Sequence, residues 1–418
     1  MEARLIRKIT VSLIAVCILF CLQIDTGWVV QGEQSLAHRF GQDCTIPTPP
    51  TSRISPFRQV IGSNDEGSHD KDNSTHQEWW YFIAFFNSND SELKNWSMMV
   101  SFNQMALIDI LFCAVFEDGT NRSYGGTITT WTGTLTAAKS GVNVSFLNST
   151  VKGRYPQWEI YAEYNESHKG AVVVNVTYTA QSLPLWLFMN LGYNRSRSPL
   201  GHYCIITSDV QGTVTINNTT YMVHGAGYHE HSWVNVKQTN PAPLRHRFIE
   251  GLQTISGDVP LWQLLLDAWD WTSIFLENGW NIFVAKICQQ SPISRMFPGS
   301  LWVTPDGENI TECRHFDFEY LETINTTIPT IEIPTKIHIK AFFVKVLLRN
   351  PSEGLVRLDL TIEVVNRGEF TWHDPEVSFG VWECPCIVEG TLSWGIHRVR
   401  LQGRAMLEIT RAAMVPPS

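Results

Sequence analysis

The chain lacks the marks of several common catalytic classes. It has no G-x-S-x-G elbow, no P-loop and no G-x-G-x-x-G fingerprint, which removes support for serine hydrolases, NTPases and dinucleotide enzymes. The usual zinc spacings, H-E-x-x-H and C-x-x-C, are missing too. No basic run occurs and the net charge is −9, so nucleic acid is not an expected partner. Helical periodicity is scarce, with Val259 to Leu266 the one short candidate. Beyond the first residues no apolar stretch is long enough to span a bilayer, and Leu183 to Leu191 is too short.

What is present begins with an export segment. Arg4, Arg7 and Lys8 precede an almost unbroken apolar run from Ile9 to Leu22, which suits a signal-peptide core better than a span of about 20 residues. Residues 1–32 are therefore expected to be a signal peptide, or else an uncleaved anchor and the sole route to a membrane. Either way the body lies outside the cell, secreted or held at the membrane. The pattern N-x-[ST] agrees. It occurs thirteen times, at Asn73, Asn89, Asn95, Asn121, Asn143, Asn148, Asn165, Asn175, Asn194, Asn217, Asn218, Asn309 and Asn325. Seven cysteines follow the export segment, an odd count in a disulfide-permissive compartment. Cys288 with Cys313 is the preferred pair because the two flank one loop-rich stretch. Cys384-Pro-Cys386 is too tight to bridge itself.

Residues 33–56, rich in Pro, Thr and Ser, read as a linker. After them period-2 alternation dominates. Val356, Leu358, Leu360, Ile362 and Val364 share one face, and Trp158, Ile160 and Ala162 repeat the pattern. Val172 to Thr179 and Lys336 to Leu348 are β-branched or alternating. Many strands and few helices predict an all-β chain. Asn240 to Leu244 (NPAPL) breaks the pattern and sets a boundary between domains at 57–240 and 241–412. The 16 tryptophans supply core mass or line a pocket for a flat or greasy ligand.

Three clusters could carry chemistry. In Gln77 to Phe82, a strand puts Trp79 and Tyr81 on one face and Glu78, Trp80 and Phe82 on the other. Glu78 is then either an acid beside an aromatic wall or a structural carboxylate bridging the strand end. In Gly225 to Trp233, the residues His229, His231 and Trp233 share a face, and Tyr228, Glu230 and Ser232 share the opposite one. Paired imidazoles suit general acid/base work or a structural role. A zinc site would need a third ligand from His224, His246 or Asp270; no metal or other cofactor is expected. In Asp267 to Trp271, Asp270 faces away from Trp269 and Trp271 and, if buried, must be paired or protonated. This cluster is at most a faint echo of Glu78-Trp-Trp-Tyr.

In order, Glu78-Trp-Trp-Tyr-Phe, Gly227-Tyr-His-Glu-His-Ser-Trp233 and Trp269-Asp-Trp271 resemble the signature of carotenoid 1,2-hydratase-like (AttH-like) proteins, a group that includes kievitone hydratase and fungal Diels–Alderases. Gly390, Gly403 and Glu408 resemble the closing strands of that family. The resemblance implies two lipocalin-like antiparallel β-barrel domains around a hydrophobic isoprenoid or polyketide ligand. It assigns His231, Trp233 and Asp270 as catalytic, and Glu78, Trp80, His229 and Trp269 as ligand-binding. A family tyrosine would fall on Ala268, so its place is vacant here. In a hydration, Asp270 would protonate a C=C bond, an aromatic face would stabilise the cation, and His231 would take a proton from water. A pericyclic cyclisation needs only a shaped apolar cavity. Hydration requires His231 and Asp270 to face one cavity. A non-catalytic carrier and a metal-dependent hydrolase are the alternatives.

Overall fold

The computed structural model describes residues 60–69, 74–105, 108–165, 170–188, 200–237, 269–287, 299–304, 306–308, 310–313, 316–325, 332–343, 356–367, 371–374, 379–394 and 396–412. The expected export segment, the linker, the boundary at Asn240 to Leu244 and the helix candidate Val259 to Leu266 all lie outside them. Every described residue belongs to one contact unit, Cys44–Ser418. No described helix is long and apolar enough to cross a membrane.

The chain is all-β. One helical turn, α1 (Ser63–Glu66), precedes a sheet of β1 (Ser74–Phe86), β2 (Trp96–Met105), β3 (Ile108–Glu117), β4 (Ser123–Trp131), β5 (Leu135–Ala137), β6 (Val142–Phe146), β7 (Ser149–Arg154), β8 (Gln157–Tyr164), β9 (Val172–Ala180), β10 (Pro184–Phe188), β11 (Leu200–Ile216) and β12 (Thr219–Lys237). The second sheet holds β13 (Trp269–Leu276), β14 (Asn281–Ile287), β15 (Gly299–Thr304), β16 (Thr311–Cys313), β17 (Phe316–Asn325), β18 (Glu332–Phe343), β19 (Val356–Val364), β20 (Thr371–Asp374), β21 (Phe379–Trp394) and β22 (His397–Ala412). The pairings described are antiparallel. The orders β4-β3-β2-β1-β12-β11 and β16-β15-β14-β13-β22-β21 correspond strand for strand, so each sheet seats its first strand between its second and its last. Glu78 stands near the start of β1 and Trp271 near the start of β13, which gives the faint sequence echo equivalent places.

Each sheet curls into a half-barrel around its own apolar interior, as expected for two lipocalin-like domains. Alternation decides which residues go inside. In β8, Trp158, Ile160 and Ala162 are buried between outward polar neighbours, and in β19 Val356, Leu358, Leu360 and Ile362 do the same. The first core holds Trp80, Phe82, Trp158 and Tyr178, and the second holds Ile274, Ile282, Leu360 and Ile409. A third cluster lies between them, where outward residues of β1 to β3 and β12 meet Phe275, Phe283, Trp302 and Met406. An antiparallel sheet normally leaves one face to water. Here part of the outer face of each sheet is apolar, and the two halves cover each other.

Candidate functional site

Strand β1 pairs with β12 so that Glu78 is opposite Trp233, Trp80 opposite His231 and Phe82 opposite His229. All six are buried within the first barrel. Strand periodicity therefore brings four of the residues singled out in the sequence, Glu78, Trp80, His231 and Trp233, into one fully enclosed group. The segment ahead of β1 completes it. Trp186 Nε1 donates to the Val60 carbonyl, and α1 meets the aromatic group where Trp80 Nε1 donates to the Glu66 carbonyl at 3.1 Å. His69 then stacks on Trp233 with centroids 3.5 Å apart. Gly201 makes room for Trp233, because a Cβ there would lie 2.1 Å from the indole ring.

At the centre is the Glu78 carboxylate. It accepts the His69 backbone N–H at 3.0 Å, and its Oε1 lies 2.9 Å from His69 Nδ1 and 2.8 Å from His231 Nε2. His231 Nδ1 faces the Asp65 carbonyl at 3.0 Å, and a carbonyl only accepts, so Nδ1 carries the proton. His69, Glu78 and His231 are the described residues in which three metal-capable side chains converge. The Glu78 carboxylate thus bridges two histidines. Deeper in, His229 Nδ1–H donates to the Tyr81 carbonyl at 3.1 Å and the ring stacks on Phe82. Burial holds the His229 imidazole down at about 3, so it is neutral across the ordinary pH range. Its Nε2, with Tyr178 Oη and Tyr203 Oη, has no hydrogen-bond partner among the described residues.

Asp270 lies in the other barrel. On β13 it points inward with Thr272 and Ile274, while Trp271 points out; Trp269 opens the strand. Asp270 is fully buried, its Oδ1 is 2.8 Å from Arg411 Nη1, and the Tyr320 hydroxyl donates to its Oδ2. Arg411 Nη2 also donates to the Tyr320 hydroxyl at 3.3 Å. Tyr320 reaches Asp270 from β17, fifty residues away in sequence. Tyr320 and Arg411 line a cleft of about 420 Å³ with Glu322, Thr323, Glu332 and Pro334. Neither residue carries a sequence signal, because each reaches Asp270 only through long-range pairing.

The single-cavity arrangement of His231 and Asp270 is therefore corrected: their side chains belong to two separate cores. The physical reason is the fold's repeat. β12 closes the first sheet and β13 opens the second, so an inward residue on each faces its own barrel. The third metal ligands considered for His229 and His231 are also displaced. His224 is at the surface between Asp90 and Asp209, Asp270 is in the other core, and His246 lies outside the described residues.

Between the barrels sequence reasoning missed a polar circuit. Glu230, outward on β12, accepts from Trp79 Nε1 at 3.0 Å, from the Tyr228 hydroxyl at 2.5 Å and from Trp271 Nε1 at 2.9 Å; His202 Nε2 lies 3.5 Å away. Burial pushes Glu230 up, but the His202 charge and the hydrogen bonds from His202, Tyr228 and Trp79 outweigh it and leave the carboxyl below its usual range. On the second barrel Glu383 is opposite Glu408 across β21 and β22, and Trp271 is opposite Glu408 across β13 and β22. Glu383 accepts the Tyr81 hydroxyl at 2.9 Å. Burial, then the neighbouring Glu408 carboxyl, push Glu383 well above the usual carboxylate range. Tyr81 neighbours Glu230 across β1 and β12, so the chain Glu230–Trp271–Glu408–Glu383–Tyr81 runs back to its start. Trp79, Trp271 and Glu408 are half-buried, which leaves this circuit an edge toward solvent.

Of the thirteen sequons, Asn73, Asn194 and Asn309 lie outside the described residues. The other ten asparagines are all exposed. Cys288, half of the expected disulfide, also lies outside; Cys313 is buried with its thiol 3.4 Å from the Phe342 carbonyl. Cys384 and Cys386 are buried thiols that point to the Arg367 and Cys384 carbonyls.

These features define a tandem lipocalin-like β-barrel protein whose barrels are joined by an apolar face holding a polar circuit. Its fold is the one the motif resemblance implied. It is similar to the crystal structure of a protein named for AttH from Nitrosomonas europaea, with a TM-score of 0.55 at 12% identity over 86% of this chain and 99% of the other. Kievitone hydratase from Nectria haematococca matches with a TM-score of 0.53 at 12% identity, covering 87% of this chain and 96% of that one. CghA with Sch210972 matches at 0.50 and 10% identity, over 85% and 96%. No family model and no curated protein matches the chain by sequence.

Proposed function

We propose that this chain is an exported glycoprotein that takes a hydrophobic, unsaturated isoprenoid or polyketide between its barrels and transforms it by hydration or cyclisation. The carrying observation is the pair Glu383 and Glu230. Burial and the Glu408 carboxyl push Glu383 up, while His202 and its other donors draw Glu230 down, within a single aromatic-walled circuit. Environments that drive two carboxyls apart in this way create an acid and a base at one pH. In a hydration, the Glu383 proton adds to one carbon of a C=C bond. The half-buried Trp79 and Trp271 rings stabilise the resulting tertiary cation through their quadrupoles. Water forms the new C–O bond and gives its proton to Glu230.

Export is supported by the basic-then-apolar N-terminus and by the exposure of ten acceptor asparagines. A mass shift of the secreted protein on amidase removal of N-glycans tests that half. The chemistry is tested with protein purified from a secreting host. Native mass spectrometry should show a retained apolar ligand, and incubation with isoprenoid polyenes in D2O should add one deuterium to carbon per turnover. Glu383→Gln and Glu230→Gln should retain binding and lose the deuterium. A wild-type protein that neither retains an apolar ligand nor adds deuterium to any polyene ends this reading.

The carrier alternative would use the cleft of about 420 Å³ lined by Tyr320 and Arg411. It predicts that Arg411→Met weakens ligand binding while no turnover is seen in either form.

A further inference from the structure

The closed group in the first barrel turns two imidazoles onto one carboxylate. His231 Nδ1 donates to the Asp65 carbonyl, which leaves Nε2 as the ring nitrogen turned toward Glu78. His231 Nε2 lies 2.8 Å from Glu78 Oε1, and His69 Nδ1 approaches the same oxygen at 2.9 Å. Two imidazole nitrogens and one carboxylate thus converge on a point that a cation can occupy. The three ligand atoms lie within 4.8 Å of one another, all three side chains are buried, and the two imidazole centroids are 5.4 Å apart.

We propose that His69 Nδ1, Glu78 and His231 Nε2 form a divalent-metal site of the zinc type, which fastens the Val60–His69 segment inside the first barrel. Two nitrogens and a carboxylate are the donor set of a three-ligand zinc centre. The N···O separations must widen by about 0.5 Å to reach the ~3.3 Å edge of a tetrahedron with ~2.0 Å bonds. The Asp65 carbonyl supplies the outer partner that metal-bound histidines normally have on their second nitrogen. The Trp233 ring against His69 and the Trp80 ring against His231 fix both imidazole planes. Because the donors are fully buried, the ion enters during folding and exchanges slowly. The site is separate from the Glu230–Glu383 circuit and does not depend on the function proposed there.

The test is the metal content of the full-length protein, purified without chelators and also after refolding with Zn2+ or Co2+. About one ion per chain is expected, with visible d–d bands from the cobalt form and a thermal midpoint that falls when the protein is refolded in EDTA. His69→Gln and His231→Gln should abolish the stoichiometric ion. His224→Gln, at the surface histidine held by Asp90 and Asp209, should keep it. Folding of the variants is checked by near-UV circular dichroism, but the decision does not depend on them. A wild-type protein that carries no ion as purified and takes up neither Zn2+ nor Co2+ on refolding overturns the proposal. Equal metal content in His231→Gln and wild type also does so.

Discussion

Replacing Glu66 by Gln should stabilise this protein, and only above mildly acidic pH. Glu66 closes α1 and is buried, and its Oε1 accepts the Tyr155 backbone N–H at 2.7 Å and Trp158 Nε1–H at 3.1 Å. Desolvation outweighs both bonds and raises the carboxyl from 4.5 to about 7. Below pH 4.5 the group is protonated in the folded and unfolded chains alike and has no effect on their balance. Between 4.5 and 7 the unfolded chain releases the proton while the folded chain keeps it, so stability falls as pH rises. A shift of that size corresponds to about 3 kcal/mol, reached once pH exceeds the folded value. Glutamine keeps the Oε1 acceptor and has no proton to lose. The variant should therefore match wild type near pH 4 and exceed it by about 3 kcal/mol at pH 8. Urea unfolding followed by tryptophan fluorescence across that range measures the difference. His229 opposes this trend in the wild type. Its depressed value of about 3 means stability is lost as pH falls from 6.5, but that contribution is common to both proteins and cancels. A variant-minus-wild-type difference that is flat with pH, or that grows toward acid, refutes the reasoning.

Further tests follow from other parts of the structure. Arg404 on β22 pairs with Asp118 across the barrel interface and lies 4.8 Å from the Phe85 ring centroid. Arg404→Ala leaves Asp118 partly buried without that charge and should cost about 3–5 kcal/mol, whereas Arg404→Met with Asp118→Asn should recover most of it in the same unfolding assay. Gly201→Ala sets a methyl against the Trp233 indole. About 1–3 kcal/mol of destabilisation is expected from overpacking, and an unchanged urea midpoint would contradict the close approach. Glu383→Gln removes a carboxyl held far above its usual range, so its stability relative to wild type should climb as pH rises past 4.5. Constant stabilisation from pH 4 to 9 would show that Glu383 is not held neutral between the barrels.

Much of the fold was legible because strand periodicity is local. Alternation alone put His229, His231 and Trp233 on one face and Tyr228 and Glu230 on the other, and both faces are found as read. It also turned Asp270 away from Trp271. The departures are all long-range. His69 precedes β1 without any motif, yet it reaches both Glu78 and Trp233. Tyr320 meets Asp270 from 50 residues away, and Glu383 meets Tyr81 from 302.

Period-2 chemistry thus determined by itself that the chain is all-β and which side chains point the same way. It could not determine what each face meets. A strand's alternation specifies a side of the sheet, but whether that side becomes a barrel interior or an interface depends on sheet curl and closure. Those follow from pairings between residues more than a hundred positions apart, as between β1 and β12 or β13 and β22. Tertiary structure alone therefore set His231 and Asp270 in different cores, and brought Glu230 and the unremarked Glu383 into one circuit.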